Sequence, residues 1–426
     1  MKESYFARTS VGNVRIHVLP TDRFKTFAIS MYIGSPLDEQ RITPTALTPF
    51  VLRRGTTSYP ETKTFLQRQD ELYGAGFGFD VLKRGDYQIV HFRMDIVDDK
   101  FVSDGRSLLR EGLEFLGEAV TKPVLEDNHF VSKYVEAEKA TVRKKLEAVI
   151  NDKVRYASER CIEEMCKNEP YRLSSLGRIE DLDNITPESL YTDYQRWLAE
   201  SPIDLYIVGD TTLAEAEQFV RESFDFPTRN EVTYLPLSLH STVSEVHTII
   251  EKLDVSQGKL NMGLRSPITY ADDRYASALM YNGILGAFPH SKLFVNVREK
   301  ESLAYYAGSR LDGHKGIMTI QSGIEVQNFE KATDIIKQQL AEMEAGVYSE
   351  TELSQTRAMI GNHLREIGDS AFEMIGFDFN SMLSGKERTV DGLLDEISKV
   401  TPESIQEVAR EVKLDTIYFL RDRKEE

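Results

Sequence analysis

Eight histidines, His17, His91, His129, His240, His247, His290, His314 and His363, are the first place to look for chemistry in this 426-residue sequence. A hydrolytic zinc centre needs neutral imidazoles and carboxylates converging on the ion with one position open to water, and a helical pair at i and i+4 is the economical source. No two of these histidines stand closer than seven residues, and neither HExxH nor HxxEH occurs. No metal or other cofactor is therefore expected. A GxSxG elbow, a GxxxxGK[ST] phosphate loop and a Rossmann glycine fingerprint are absent too, and no catalytic residue is assigned. His363 and Glu366 share a helical stretch without a nucleophile beside them, which reads as an exposed helix face.

The richest stretch runs from His290 to Arg310, HSKLFVNVREKESLAYYAGSR. A helix ending in REKES before LAYY sets Arg298 and Tyr305 on two sides of a turn. There guanidinium and phenol can converge on a carbonyl or carboxylate, a pairing suited to peptide binding. The same two residues also read as a surface arginine and a half-buried tyrosine with its hydroxyl in solvent.

The elements that must carry these residues come in two similar sets. The first half offers VRIHVL and TFAISMYIG as strands, helices at 43 to 53 and about 61 to 73, the alternating run YQIVHFRMD, and a helix from Phe101 to about Leu116. The second offers HTIIEKL and KLNMGLR as strands, helices at about 272 to 286 and 290 to 300, GIMTIQSG as a strand, and a helix from Phe329 to Glu344 closed by Gly346. Ser35-Pro36 answers Ser266-Pro267 at an offset of 231, Phe101 answers Phe329 at 228, and Thr-Pro-Glu-Ser from Thr186 recurs from Thr401 at 215. The falling offset implies extra residues in the first half, where a long helix is expected from His129 past Ala148. Thr-Pro-Glu-Ser starts a helix for physical reasons: threonine caps, proline suits the first helical position, and glutamate meets the helix dipole. Each copy leads through a helix into a strand, DLYIVGD and DTIYFLRD. The expected fold is thus α+β: two homologous α/β sandwich domains with antiparallel-rich sheets and helices on one side. Residues 1–224 form the first domain, the proline-containing polar stretch 225–237 the linker, and 238–426 the second.

A chain this long exceeds the roughly 250 to 300 residues over which one core stays economical. No segment approaches the roughly 20 apolar residues of a spanning helix, and Met1 to Val18 lacks the apolar run of a signal peptide, so a cytoplasmic location without a membrane span is expected. A net charge of −17 argues against nucleic acid as a partner. It suits either a cavity for basic ligands or a solvated acidic surface. Cys161 and Cys166, five apart, fall on different faces of a helix and read as structural. Arg143-Lys144-Lys145 reads as the solvated side of a helix buried through Val135, Val142, Leu146 and Val149.

LFVNVREKESLAYYAGS closely resembles the second-domain signature of the pitrilysin/insulinase family of zinc peptidases. In the first half the resemblance extends through SMYIGSPLDE, the helix-then-RGT segment at 43 to 56, DELYGA at 70 to 75 and the helix containing EAEKATVRKKLE, so it covers the whole chain. It implies a pair of related α+β domains, in agreement with the repeat. In active members HxxEH ends shortly before a Gly-Thr pair, here Gly55-Thr56. The family spacing then puts Ala46 and Phe50 where the zinc histidines belong and Pro49 where the general base belongs. Following the Glu138-Lys139 step, Lys145 stands in the place of the third ligand. A protonated lysine cannot coordinate zinc and would repel it. The resemblance therefore implies an inactive peptidase homologue.

The arginine and tyrosine with which active members hold the substrate backbone match Arg298 and Tyr305 at the same separation of seven. Two-subunit members pair a chain with HxxEH and a similar chain without it. The function implied is a non-catalytic, peptide-binding subunit of a heterodimeric zinc metallopeptidase, beside a homologous subunit that carries HxxEH. The other reading left open is an inactive peptide-binding or scaffolding homodimer with no proteolytic role.

Overall fold

The computed structural model describes residues 5–103, 105–226, 231–236 and 238–423. The chain opens with strands β1 (Ala7–Val11), β2 (Val14–Pro20) and β3 (Thr26–Pro36), helices α1 (Ile42–Leu52) and α2 (Thr62–Glu71), and strands β4 (Gly76–Arg84) and β5 (Tyr87–Val97). Then come α3 (Leu108–Thr121), the short hairpin β6 (Leu125–Glu126) and β7 (His129–Phe130), α4 (Ser132–Val149), α5 (Lys153–Met165), α6 (Ile179–Leu182), α7 (Pro187–Glu200), β8 (Ile203–Gly209) and α8 (Leu213–Ser223). The rest consists of β9 (His247–Lys252), β10 (Gly258–Arg265), α9 (Tyr275–Asn282), β11 (Ala304–Asp312), β12 (Ile317–Ile324), α10 (Phe329–Glu344), α11 (Glu350–Glu366), α12 (Ala371–Ser384), α13 (Val390–Lys399), α14 (Pro402–Glu411) and β13 (Lys413–Arg421).

The described residues form two compact units. The first comprises residues up to Glu147, Leu173–Leu235 and Ala371–Gly376; the second comprises Ala148–Arg172, Pro236–Ser370 and the residues from Phe377 on. Part of the expected linker, 227–230 and 237, lies outside the described residues. The sheet of the first unit runs β1-β2-β8-β3-β5-β4, antiparallel throughout except between β2 and β8. That of the second runs β11-β12-β10-β13-β9, antiparallel except between β13 and β9. The strands that follow the two Thr-Pro-Glu-Ser helices therefore take the same inner place, between an antiparallel and a parallel neighbour.

Local chemistry explains this agreement. Thr186 and Thr401 cap α7 and α14 with nearly identical backbone angles, φ −104° and ψ 163° against φ −105° and ψ 160°. In each, the serine three residues on returns the hydrogen bond to the threonine N–H, a reciprocal capping box. α10 ends as its sequence implies: Gly346 adopts φ +72°, and the N–H groups of Gly346 and Val347 close on the carbonyls of Met343 and Glu342 at 3.1 and 2.8 Å.

Four expected helices differ. The one anticipated from Phe101 begins only at Leu108, because Asp98 caps a short 3-10 turn over Asp99–Phe101 and the Asp99 carboxylate then accepts the N–H of Leu108 at 2.6 Å. The long helix anticipated from His129 begins at Ser132. Asp127 and Asn128, at φ +50° and +65°, turn the β6–β7 hairpin in front of it, the left-handed pair that a two-residue hairpin requires. The helices expected at 272–286 and 290–300 continue as π-helical turns over Gly283–Ala287 and Phe294–Lys300.

In the first unit, Ile29, Met31 and Ile33 of β3 face the helices and join the core with Val14, Ile16, Val90, Phe92, Leu113 and Leu205. Residues of the opposite parity line the other face of the sheet, and this face is buried and polar. Arg15 and His17 meet Asp204 there. The guanidinium grips the carboxylate at 2.7 and 2.6 Å, and His17 Nε2 lies 2.8 Å from it. Burial works against ionising Asp204, but the hydrogen bonds from His17 and Arg15 outweigh it and hold its pKa below the usual range. His17 stacks on Tyr206 and His91 on Tyr32, with ring centres 4.3 and 4.1 Å apart. Burial, helped by Arg93 and Arg84, lowers the pKa of His91 to about 3, so it stays neutral.

Helix α5 covers the same face of the second sheet. Ala157 and Cys161 pack on Tyr418 and Leu420, and a Cβ on Gly263 would stand 2.5 Å from Met165 Sδ. Both cysteines are buried and neither forms a disulfide among the described residues, and burial pushes the Cys161 thiol up, so it stays protonated and unreactive. Arg265 again meets a buried carboxylate, Asp415 at 2.7 Å, and also Glu169 at 2.7 Å.

Two substitutions test this packing through the fluorescence of Trp197, the single tryptophan, which is 5% exposed in the first unit. A Cβ at Gly117 on α3 would lie 2.6 Å from the Ser223 carbonyl oxygen at the end of α8, so Gly117→Ala should lower stability in a urea titration by about 1–3 kcal/mol. Asp204→Ala strands Arg15 and should cost about 3–5 kcal/mol at neutral pH. A depressed carboxylate pKa contributes stability that is full above the unfolded value and lost as pH falls through the folded one. The difference between wild type and Asp204→Ala should therefore persist to about pH 4 and shrink below it.

Candidate functional site

Helix α1 is buried along its whole length, which follows from its apolar sequence ITPTALTPFVL. Pro49 lies inside it and offers no acid–base group, and Ala46 is fully buried. Phe50 meets Phe79 of β4 edge-on, with centroids 4.8 Å apart at 81°. Lys145 of α4, 95 positions further along, reaches the same ring, its Nζ 5.9 Å from the Phe50 centroid. Arg53 lies 5.5 Å from both phenylalanine rings. The structure thus brings together Phe50 and Lys145, two of the positions matched to zinc ligands, and what they build is an aromatic plate with two cations. Neither Phe50, Ala46 nor Pro49 has a donor atom for zinc, and protonated Lys145 has none to give, so these residues do not fit the metal.

Beside this plate Glu138 is completely buried on α4, on the face that carries Val135 and Val142. Arg54 Nε donates to its carboxylate at 2.5 Å, a second Arg54 nitrogen pairs with the same oxygen, and Arg53 approaches the other oxygen at 3.8 Å. A carboxylate out of water needs such a partner. Its position three residues after Val135 and four before Val142, on the apolar stripe, is the sequence signal that a buried partner exists. The identity of that partner, Arg54, carries no such signal. Along the same helix Arg143 pairs with Asp183 at 2.6 Å, while Lys144 and Lys145 are exposed, as expected of a solvated run.

Arg298 sits in the second π-helical turn, after buried Val297, and is exposed. Its guanidinium lies 4.5 Å from the centre of the Phe294 ring, one turn earlier. Ser302 takes φ +51°, and the Leu303 N–H closes on the Val297 carbonyl at 3.1 Å, which turns the chain into the edge strand β11. Ala304 pairs with Ile324 and Tyr306 with Gly323, so Tyr305 is the extra residue of a β-bulge. It is 53% exposed, and its hydroxyl donates to Glu325 Oε1 at 2.5 Å rather than pointing freely into solvent. That hydrogen bond, with the carboxylate charge behind it, raises the phenol pKa.

Each of the two residues is therefore held by a neighbour of its own while staying accessible. Among the described residues no carbonyl or carboxylate takes the N–H groups of Arg298, which leaves its planar fork able to bind one. A π-helical turn and a bulge side by side are both departures from regular hydrogen bonding, and such departures concentrate where side chains must be aimed. Sequence spacing identified the two residues; Glu325 and the bulge gave no sign in it. His363 and Glu366 lie on an exposed face of α11, as anticipated.

Comparison with known proteins adds to this geometry. A family model described as the peptidase M16 inactive domain matches residues 184–360. The chain is 40% identical over 413 residues to the probable inactive metalloprotease YmfF of Bacillus subtilis, with 96% of each chain covered. It is 25% identical over 173 residues to the uncharacterized zinc protease YmxG of the same organism, 39% of this chain and 42% of that one. Among solved structures, a conserved protein from Enterococcus faecalis V583 superposes with a TM-score of 0.90 at 32% identity, covering 99% of this chain and 100% of that one. An M16 inactive domain from Pseudomonas fluorescens, at 15% identity and a TM-score of 0.81 over 98% of both chains, shares the fold. With full-length identity at this level and no ligand-bearing residue at 46, 49, 50 or 145, the chain belongs to the M16 peptidases, the pitrilysin/insulinase family, as an inactive homologue.

Proposed function

We propose that this chain is the non-catalytic, peptide-binding subunit of a two-chain zinc metallopeptidase, working in the cytoplasm with a homologous subunit that supplies HxxEH. The observation that carries the reading is an asymmetry of loss. Every position matched to the metal chemistry has become apolar or cationic, whereas Arg298 and Tyr305 are retained at their spacing and held on a π-helical turn and a bulge. A chain that had drifted into a purely structural role would have no use for two exposed, unusually supported polar side chains. In a composite site the zinc and general base come from one chain, and the other orients the peptide. Orientation alone is worth several kcal/mol in rate, because it converts a bimolecular encounter into a positioned one.

Arg298 would hold a substrate carbonyl or carboxylate through its planar fork, and Tyr305 would donate its O–H to the peptide after releasing Glu325. Glu325 keeps the phenol protonated, hence able to donate, across the physiological range.

Co-expression with a homologous HxxEH chain should give a complex that cleaves peptides. In it Arg298→Ala should lower kcat/KM by about tenfold to a hundredfold, the value of one or two charge-assisted hydrogen bonds. A partner fully active alone and indifferent to this chain would sink the proposal. Peptide affinity retained by a homodimer that captures no HxxEH chain would favour the scaffolding alternative. Tyr305→Phe in the same complex should raise KM with little change in zinc content, measured by metal analysis. Zinc found in stoichiometric amount in this chain purified alone would contradict the assignment of metal to the partner.

A further inference from the structure

The plate that replaces the metal site has an electrostatic character of its own. The chain carries a net charge of −17, and many of its arginines and lysines are matched to carboxylates, as Arg143 is to Asp183 and Arg160 to Glu163, Glu164 and Glu251. Lys145 is an exception. It is exposed, its ammonium lies against the Phe50 ring, and among the described residues no carboxylate pairs with it. Arg53, 46% exposed, lies against Phe50 and Phe79, and its nearest carboxylate oxygen, on Glu138 at 3.8 Å, belongs to a group already gripped by Arg54. Counting Arg53, Arg54 and Lys145 against Glu138 leaves a local charge of +2 on an acidic protein.

Cations lying against aromatic rings have already lost part of their water on that side, and the low-dielectric rings strengthen their field outward. The arrangement suits a carboxylate. We propose that the place of the lost zinc centre is an anion subsite, in which Lys145 and Arg53 on the Phe50–Phe79 plate receive a carboxylate of the bound peptide. This rests on the peptide-binding reading above and gives it a specificity. The carboxylate comes from an aspartate or glutamate side chain or from the free end of a peptide, and the chemistry of capture is the same.

The test uses the full chain and three fluorescein-labelled peptides of one Ala/Ser-rich sequence, read by fluorescence polarisation. One carries a central glutamate and an amidated end, one a glutamine and an amidated end, and one a glutamine and a free carboxylate end. The glutamate peptide should bind at least tenfold more tightly than its amidated glutamine twin. The preference should vanish in Lys145→Glu, return in Lys145→Arg, and weaken as salt is raised. Tighter binding of the free-ended glutamine peptide alone would support the same subsite and assign it to chain ends. Equal affinity of wild type for all three, or a preference that survives Lys145→Glu, would overturn the subsite while leaving peptide binding intact. Failure of all three to bind would sink both. Because Lys145 is exposed, its variants should keep the Trp197 fluorescence of the folded chain.

Discussion

Each half of this molecule is organised around a carboxylate that has no business in a sheet unless an arginine meets it. Asp204 on β8 and Asp415 on β13 open the closing strands of the two units, both strands lie inside their sheets, and both carboxylates are buried. Arg15 answers from the parallel neighbour in the first unit and Arg265 from the antiparallel neighbour in the second. The same guanidinium groups then reach the chain that connects the halves: Arg15 donates to the Val232 carbonyl at 3.4 Å and Arg265 to the His240 carbonyl at 3.0 Å. One charge pair per unit therefore ties the closing strand to its neighbour and to irregular backbone. In the first unit a one-residue slip would move Asp204 to the apolar face, where nothing could satisfy it, whereas in the second the β10–β13 pairing itself shifts between Gly263 and Leu264 and Asp415 is the extra residue of that bulge, held by Arg265.

That constraint explains how the site can change without harming the fold. The core side of the first sheet depends on apolar packing from α1, α3, α7 and α8, and Phe50, at a position the resemblance matches to a zinc ligand, is part of that core. Arg298 and Tyr305 draw instead on backbone irregularity, the π-helical turn and the bulge, which regular packing neither requires nor disturbs. The packing of Phe50 and the irregular backbone beneath Arg298 and Tyr305 are thus independent in physical terms.

Much of this was legible in the residues. Alternation in TFAISMYIG and YQIVHFRMD, the twin Thr-Pro-Glu-Ser caps and Gly346 are local signals, and the structure uses them locally. Helix starts failed where a side chain acted at a distance: Asp99 caps α3 across nine positions, and Asp127-Asn128 insert a hairpin ahead of α4. The position of α5 against β10 and β13, strands that come much later in the chain, is long-range packing that periodicity does not encode. At the site the residue types and spacing of Arg298 and Tyr305 could be read, but the bulge, Glu325 and the cation-bearing plate depend on neighbours distant in sequence.

The order of strands also governs how the molecule is made. In each unit the last strand to leave the ribosome is an inner one: β8 parts β2 from β3, and β13 parts the edge strand β9 from β10. Until Ile203–Gly209 emerges, the first sheet is two separated fragments with unpaired inner edges, and until Lys413–Arg421 emerges the second is a three-stranded piece open at β10 with β9 unpaired. Exposed edges of this kind invite pairing with other chains. A newborn chain is therefore most in need of protection just before each half is finished, and trimming from Lys413 on would open an inner edge at β10 and leave β9 without a neighbour.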